Sequence, residues 1–252
     1  MHADTNSLLI LNSVDSTNNY AMGKVRAGSA SHGNAYFTYE QTKGKGRRGK
    51  VWNAEKGKNI ILSIVVQPLF LELNKQFQLS VATSLGCLSF LKKYAEDDMK
   101  IKWPNDLFWN DRKAGGILIE NVIKGNGWQW AVIGIGININ QTNFDLVTNF
   151  LPVSLKQITG KDFDVIELSR ELCTEVLKSI NELKNNGFEK MLSEYNKNLF
   201  KLNKKVKLKK GTLVFETTVK GVSPQGQLIT ADTLERQFDF DEVEWQPHPT
   251  KQ

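Results

Sequence analysis

The chain is poor in the residues that carry most enzyme chemistry. Of 252 residues, only three are histidine and two are cysteine. His2, His32 and His248 stand isolated, so no cluster with metal-ligand spacing and no catalytic dyad can be drawn. Cys87 and Cys173 lie far apart in apolar helical patterns; they predict buried structural thiols, no disulfide framework and a reducing compartment. No apolar run approaches the roughly 18 residues of a membrane span. Met1 to Asn12 holds no basic segment followed by a long apolar stretch, which excludes a signal peptide and makes the cytoplasm the expected address. Direct nucleophilic catalysis by a side chain is unsupported, which leaves chemistry that rests on positioning and charge.

Composition is otherwise that of a globular protein, 40% hydrophobic and 24% charged. The net charge of +6 is concentrated. Lys43, Lys45, Arg47, Arg48, Lys50, Lys56 and Lys58 face a single acid, Glu55, within one short segment, and the rest of the chain is neutral as a whole. So focused a patch suits a compact anion as well as a nucleic acid. A second lysine run, Lys201 to Lys210, is offset by acids elsewhere.

Periodicity predicts strands at 7–12, 34–41, 59–67, 99–103, 116–123 and 128–139, the last two joined through Lys124-Gly125-Asn126-Gly127. Helices are predicted after Asp15-Ser16-Thr17-Asn18 to about Ala27, over 75–95, 166–186 and 188–199, with Asp164 to Glu167 capping the third. Near residue 203 the character changes to four short strands at 205–210, 213–222, 227–231 and 236–245, the pattern of a small β-barrel. The expectation is an α+β protein: a mixed sheet flanked by helices over residues 1–202 and a small all-β unit over 203–252.

Four segments carry candidate chemistry. Gly44-Lys45-Gly46-Arg47-Arg48-Gly49 matches a dinucleotide fingerprint in letters only, because no helix start and no suitably placed acid follow it. Its three glycines let backbone N–H groups approach an anion, and Arg47 and Arg48 can grip phosphate oxygens bidentately; a solvated basic turn is the alternative. Lys102-Trp103-Pro104-Asn105-Asp106-Leu107 presents Asn105 and Asp106 where a strand ends. Asp106 is a candidate Mg²⁺ ligand and Asn105 a candidate for a sugar or phosphate, against an ordinary turn. Lys113 precedes Gly115-Gly116, which suggests a point charge beside a ligand that the backbone approaches closely, or a hairpin connection. Gly134 and Gly136 strip one strand face of side chains, with Asn138 on the same face; they make a flat floor for a ring, or allow tight packing against a helix.

In order and spacing these segments resemble the biotin protein ligase family. The match runs through Asp15-Ser16-Thr17-Asn18, Glu40-Gln41, Gly44 to Trp52, Lys102 to Leu107, Lys113 to Leu118 and Gly134 to Asn138. The resemblance implies a class II synthetase-like catalytic unit with an SH3-like C-terminal barrel. It implies a reaction in which biotin and MgATP give biotinyl-5′-AMP, and the biotinyl group then passes to a lysine of a biotin carboxyl carrier domain. It further implies that Ser16, Thr17, Asn18 and Gln41 form the polar end of the biotin pocket. Gly116, Gly134 and Gly136 would form its backbone walls, and Gly44, Lys45 and Gly46 its covering loop. Arg47 and Arg48 would hold phosphates, Lys113 would bridge the carboxylate and α-phosphate, and Trp52 would stack on adenine beside Asn105, Asp106 and Asn138. The family's loop has arginine where Lys45 stands, which keeps the charge but loses the planar fork. Because the pattern begins almost at Met1, a member without an N-terminal DNA-binding unit is expected: a monomer or homodimer that binds no operator. A lipoate–protein ligase and a basic nucleic-acid-binding protein are the competing readings.

Overall fold

The computed structural model describes residues 8–125, 127–145 and 150–246. His2, Ser7, Asn126 and His248, named above, lie outside the described residues. A seven-stranded sheet comprises β1 (Leu8–Leu11), β2 (Ala35–Thr38), β3 (Ile60–Val66), β4 (Met99–Lys102), β5 (Asp106–Trp109), β6 (Arg112–Lys124) and β7 (Gly127–Ile137), in the order β1-β2-β3-β7-β6-β5-β4. β1 and β2 are parallel and the remaining neighbours antiparallel, so the sheet is mixed, as expected.

Side-chain alternation decides which face is core. Ile60, Leu62 and Ile64 of β3 and Ile133, Ile135 and Ile137 of β7 enter one buried cluster. Residues from α2 (Gln76–Ala95) and α4 (Val165–Asn186) complete it, among them Leu79, Phe90, Leu91, Leu172 and Val176. The opposite face is apolar over part of its extent, where Val65 and Val132 pack under Ala21 and Val25 of α1 (Thr17–Arg26). Beyond that patch the alternate positions are Ser63, Gly134, Gly136 and Gly116, where small residues let other parts of the chain lie directly on the sheet.

Two elements were not anticipated. Pro104 reads as a terminator, yet the chain reverses through Trp103-Pro104-Asn105 and returns as β5, pairing Asp106 with Lys102. Asp106 therefore opens an inner hairpin strand and does not sit at the end of a parallel one. A short helix, α3 (Leu155–Thr159), starts on a reciprocal box in which Ser154 Oγ accepts from Gln157 N and Gln157 Oε1 accepts from Ser154 N. The cap anticipated at Asp164 is present, its carboxylate accepting from Ile166 N and Glu167 N. α5 (Phe188–Lys197) follows.

The C-terminal unit is a five-stranded antiparallel sheet: β8 (Lys205–Lys210), β9 (Leu213–Val222), β10 (Leu228–Ala231), β11 (Glu235–Phe238) and β12 (Glu244–Gln246), in the order β11-β10-β9-β8-β12. Its last predicted strand is split in two, because Asp241 takes a left-handed conformation (φ 72°) in the turn between. β11 and β12 are the two edges, so the ladder is open, not a closed barrel. Val206, Leu208, Val219, Leu228 and Trp245 of this sheet join the same buried cluster as the large sheet. Among the described residues no helix is long and apolar enough to cross a membrane.

Cys87 and Cys173 are both free and buried. Burial pushes the Cys87 thiol well above its usual range and the Cys173 thiol up to about 12. Iodoacetamide at pH 8 is expected to leave both unmodified in the native protein and to alkylate both after denaturation, counted by mass spectrometry. Rapid native alkylation of either thiol would contradict this packing.

Candidate functional site

The second face of the sheet carries a row of glycines, each roofed by a different chemistry. Gly116 pairs with Gly136 across β6 and β7, and Gly134 pairs with Ser63 across β7 and β3. A Cβ at Gly134 would lie 2.4 Å from Asn18 Oδ1, and one at Gly136 would lie 2.4 Å from Trp52 Cε2. A Cβ at Gly116 would lie 3.4 Å from Asp106 Oδ1 and 3.6 Å from Lys113 Nζ. An amide, an indole and an ion pair therefore lie side by side along the row; at Gly134 and Gly136 only glycine permits the approach, whereas a Cβ at Gly116 would make ordinary contact.

At the amide end the polar groups are interlocked. The Ser63 hydroxyl donates to Asn18 Oδ1 (2.6 Å) and lies 2.8 Å from Thr17 Oγ1. Asn18 Nδ2 donates to Glu120 Oε2 (2.7 Å), and Gln41 Oε1 accepts from Thr17 N (2.8 Å). Ser16, Thr17 and Asn18 are buried at the start of α1, with Ser16 as its N-cap. Ser63 and Glu120 were not among the predicted site residues. Ser63 is a lone polar residue in an apolar strand run and Glu120 an acid beside Asn121 in another, and that was the available signal.

At the ionic end, Lys113 Nζ is 2.6 Å from Asp106 Oδ1, and Lys102 Nζ is 3.8 Å from Asp106 Oδ2. Burial alone would raise the Asp106 carboxyl, but the two ammonium groups outweigh it and hold it below its usual range. Lys102 is almost wholly buried, and desolvation pushes its ammonium down to about 8 despite Asp106. Lys113 Nζ also stands 5.8 Å from the Trp52 ring. The Trp52 indole N–H is buried without a partner, a donor facing the site.

Asn105 and Asn138 come to this region but direct their amides at backbone. Asn105 Nδ2 donates to Ile117 O (2.7 Å), and Asn138 Nδ2 donates to Lys113 O (3.3 Å) and Val153 O (3.2 Å). They fix the strands that carry Asp106 and Lys113.

The loop is ordered as a small hairpin. Trp52 N donates to Gly44 O and Gly46 N donates to Lys50 O. A Cβ at Gly44 would lie 2.3 Å from Trp52 O, which explains that glycine. Arg48 is left-handed (φ 56°). Lys45 Nζ donates to Asn19 Oδ1 on α1 (2.5 Å). Arg47 and Arg48 are turned to the second sheet, where Asp241 Oδ1 lies 3.2 Å from Arg47 Nη2 and 2.8 Å from Arg48 Nε. Glu244 Oε1 is 3.7 Å from Arg48 Nη1. Two adjacent guanidinium groups repel, and one carboxylate between them relieves this. Asp241 lies far from the loop in sequence, and no local signal announced the contact.

The arrangement can hold a neutral polar group at Asn18 and Ser63, a flat ring near Trp52, and anions at Lys113 and the arginines. The sequence model of the Biotin/lipoate A/B protein ligase family matches residues 10–138. The bifunctional ligase/repressor BirA of Escherichia coli K12 is 30% identical over 229 residues, covering 90% of this chain and 70% of that protein. The biotin–[acetyl-CoA-carboxylase] ligase of Paracoccus denitrificans is 29% identical, covering 88% and 93%. The solved structure of biotin protein ligase from Aquifex aeolicus in complex with biotin and ATP superposes with a TM-score of 0.81 at 25% identity, covering 96% of this chain and 100% of that one. The chain belongs to the biotin/lipoate A/B protein ligase family.

Proposed function

We propose that the chain is an ATP-dependent biotin–protein ligase. It makes biotinyl-5′-AMP from biotin and ATP and passes the biotinyl group to a lysine of a biotin carboxyl carrier domain. The carrying observation is the glycine row of Gly134, Gly136 and Gly116, roofed in turn by Asn18, Trp52 and the Lys113–Asp106 pair. That order matches a ligand with a polar head at one end and an acyl phosphate at the other. The names of the relatives from Paracoccus and Aquifex support the same assignment.

In the first step a biotin carboxylate oxygen bonds to the α-phosphorus and pyrophosphate leaves. In the second the carrier amine bonds to the acyl carbon, loses a proton, and AMP leaves. Neither step needs a protein nucleophile; both need two anions held together and their charge offset. Ser16, Thr17, Asn18 and Gln41, with Ser63 and Glu120, take the polar end of biotin. Gly116, Gly134 and Gly136 are its walls, and Gly44, Lys45 and Gly46 the covering segment. Lys113 stands between carboxylate and α-phosphate. Trp52 takes the adenine, and Arg47 and Arg48 exchange Asp241 for phosphate oxygens, bidentate pairing being available to both anions. Asn105 and Asn138 keep Asp106 and Lys113 in register.

Mg²⁺ does not fit Asp106. Two ammonium groups already flank that carboxylate, and among the described residues no group of three His, Cys, Asp or Glu side chains converges.

Mass spectrometry of a biotin carboxyl carrier domain, after incubation with this protein, biotin and MgATP, is expected to show one added biotinyl group on a lysine. Lipoyl transfer with no biotinyl transfer would overturn the assignment.

A further inference from the structure

Lys102 has no place in the reaction just described, yet it is the most confined cation of the site. Its side chain is 8% exposed. Its ammonium stands 5.3 Å from the centre of the Phe108 ring, 4.8 Å from Phe150 and 5.2 Å from Trp245. These rings come from β5, from the segment before α3, and from β12 of the second sheet. Three aromatic faces are a favourable setting for a cation that has lost water. The anion beside it is Asp106, on the oxygen opposite the one that holds Lys113. Aromatic residues and an acid thus converge on Lys102.

The Lys113–Asp106 pair poses a problem that this arrangement solves. At 2.6 Å, Lys113 is committed to Asp106. To bridge an incoming carboxylate and phosphate it must give up part of that contact. A largely buried carboxylate deprived of its cation carries the desolvation cost of an unpaired charge. With a second, immobile cation on its other oxygen, Asp106 stays neutralised while Lys113 turns to the ligand.

We propose that Lys102 is a positioning residue: it is the standing counter-charge of Asp106 that frees Lys113 to engage the anions of the adenylation step. The proposal rests on the assignment of Lys113 to the acyl phosphate. Because Trp245 forms one wall of the enclosure, the C-terminal sheet takes part in this step through Lys102 as well as through Asp241.

The role acts through Asp106, so a cycle of four proteins tests it: wild type, Lys102→Met, Asp106→Asn and the double variant, with Lys113→Ala as reference. Single-turnover pyrophosphate release is measured with biotin and ATP saturating, alongside biotin affinity by calorimetry. Lys102→Met is expected to slow release about 10-fold or more while biotin affinity changes less than about threefold. In the Asp106→Asn background the same substitution is expected to change the rate by less than about threefold, since no charge remains to be held. A merely structural lysine would slow both backgrounds alike, and that additivity would overturn the proposal. So would a wild-type rate in Lys102→Met. If Lys102→Met fails to fold by circular dichroism, Lys102→Gln is compared in the same two backgrounds with the same expectations. A near wild-type rate in Lys113→Ala would overturn the Lys113 assignment and this proposal with it. A slow Lys113→Ala with a normal Lys102→Met overturns the proposal alone.

Discussion

Replacing Lys113 with alanine is expected to slow pyrophosphate release at least ~10²-fold while leaving biotin affinity within a few-fold, by the size of effect seen when one preorganised stabiliser of transition-state charge is lost. The side chain is well anchored. Its backbone N–H donates to Leu151 O and its carbonyl accepts from Val153 N and from Asn138 Nδ2. Its ammonium lies over Gly116, with Asp106 at 2.6 Å and the Trp52 ring at 5.8 Å. Alanine keeps those backbone bonds and leaves Lys102 beside Asp106, so the strand should persist although the ammonium and its stem are lost. Biotin's polar end is assigned to Asn18, Ser63, Thr17 and Gln41, over Gly134 rather than Gly116, and should be spared. Rapid-quench pyrophosphate assays and calorimetry separate the two effects. Pyrophosphate release near the wild-type rate would show that Lys113 does not sit at the developing charge.

How the loop serves that step depends on a contact between sheets. Arg47 and Arg48 meet Asp241, and Arg47 also stands 5.4 Å from the Phe240 ring. These are partly exposed pairs, individually weak in water. Weak pairing is consistent with the proposed exchange of Asp241 for phosphate, which offers more charge than one carboxylate. The second sheet thus helps to hold the loop in a folded hairpin.

Local pattern made much of this legible. The alternation of Ile133, Ile135 and Ile137 with Gly134 and Gly136 announced a strand with one core face and one bare face. The structure shows what covers the bare face: the chain's own Asn18 and Trp52. What stayed hidden was pairing at a distance. That β7 lies between β3 and β6, and that Ser63 therefore comes to Gly134, depends on strand order, which no local window contains. β5 was lost because Pro104 was read as an end when the chain turns through it. The burial of Lys102 was equally unreadable, since its enclosure is assembled from Phe108, Phe150 and Trp245, far apart in sequence. Asp241 belongs to the same class. The motifs named residues that the fold brings together around the glycine row; several of their partners come from elsewhere in the chain.

Substituting Gly134 with alanine tests the other end of the row, and its effect should fall on biotin rather than on ATP. The new methyl would lie 2.4 Å from Asn18 Oδ1 and 3.0 Å from Asn18 Cγ. Asn18 cannot step aside cheaply. It is 3% exposed, sits in the first turn of α1, and is tied to Ser63 at 2.6 Å and Glu120 at 2.7 Å. Relieving the clash means breaking one or both bonds, at about 1 kcal/mol each, or straining the packing by roughly 1–3 kcal/mol. A total near 2 kcal/mol corresponds to a loss of about 30-fold in biotin affinity, with a parallel fall in Tm. Gly136→Ala meets Trp52 instead, at 2.4 Å from Cε2, and should weaken ATP binding while biotin affinity holds better. Gly23→Ala, in the same helix as Asn18 with nothing within 4 Å of its new Cβ, is the control. It should leave both ligands alone and raise stability by up to about 1 kcal/mol, since alanine suits a helix better than glycine. Calorimetry on the three variants reads the row directly. If Gly134→Ala and Gly136→Ala affect the same ligand equally, biotin and adenine do not divide the glycine row as assigned.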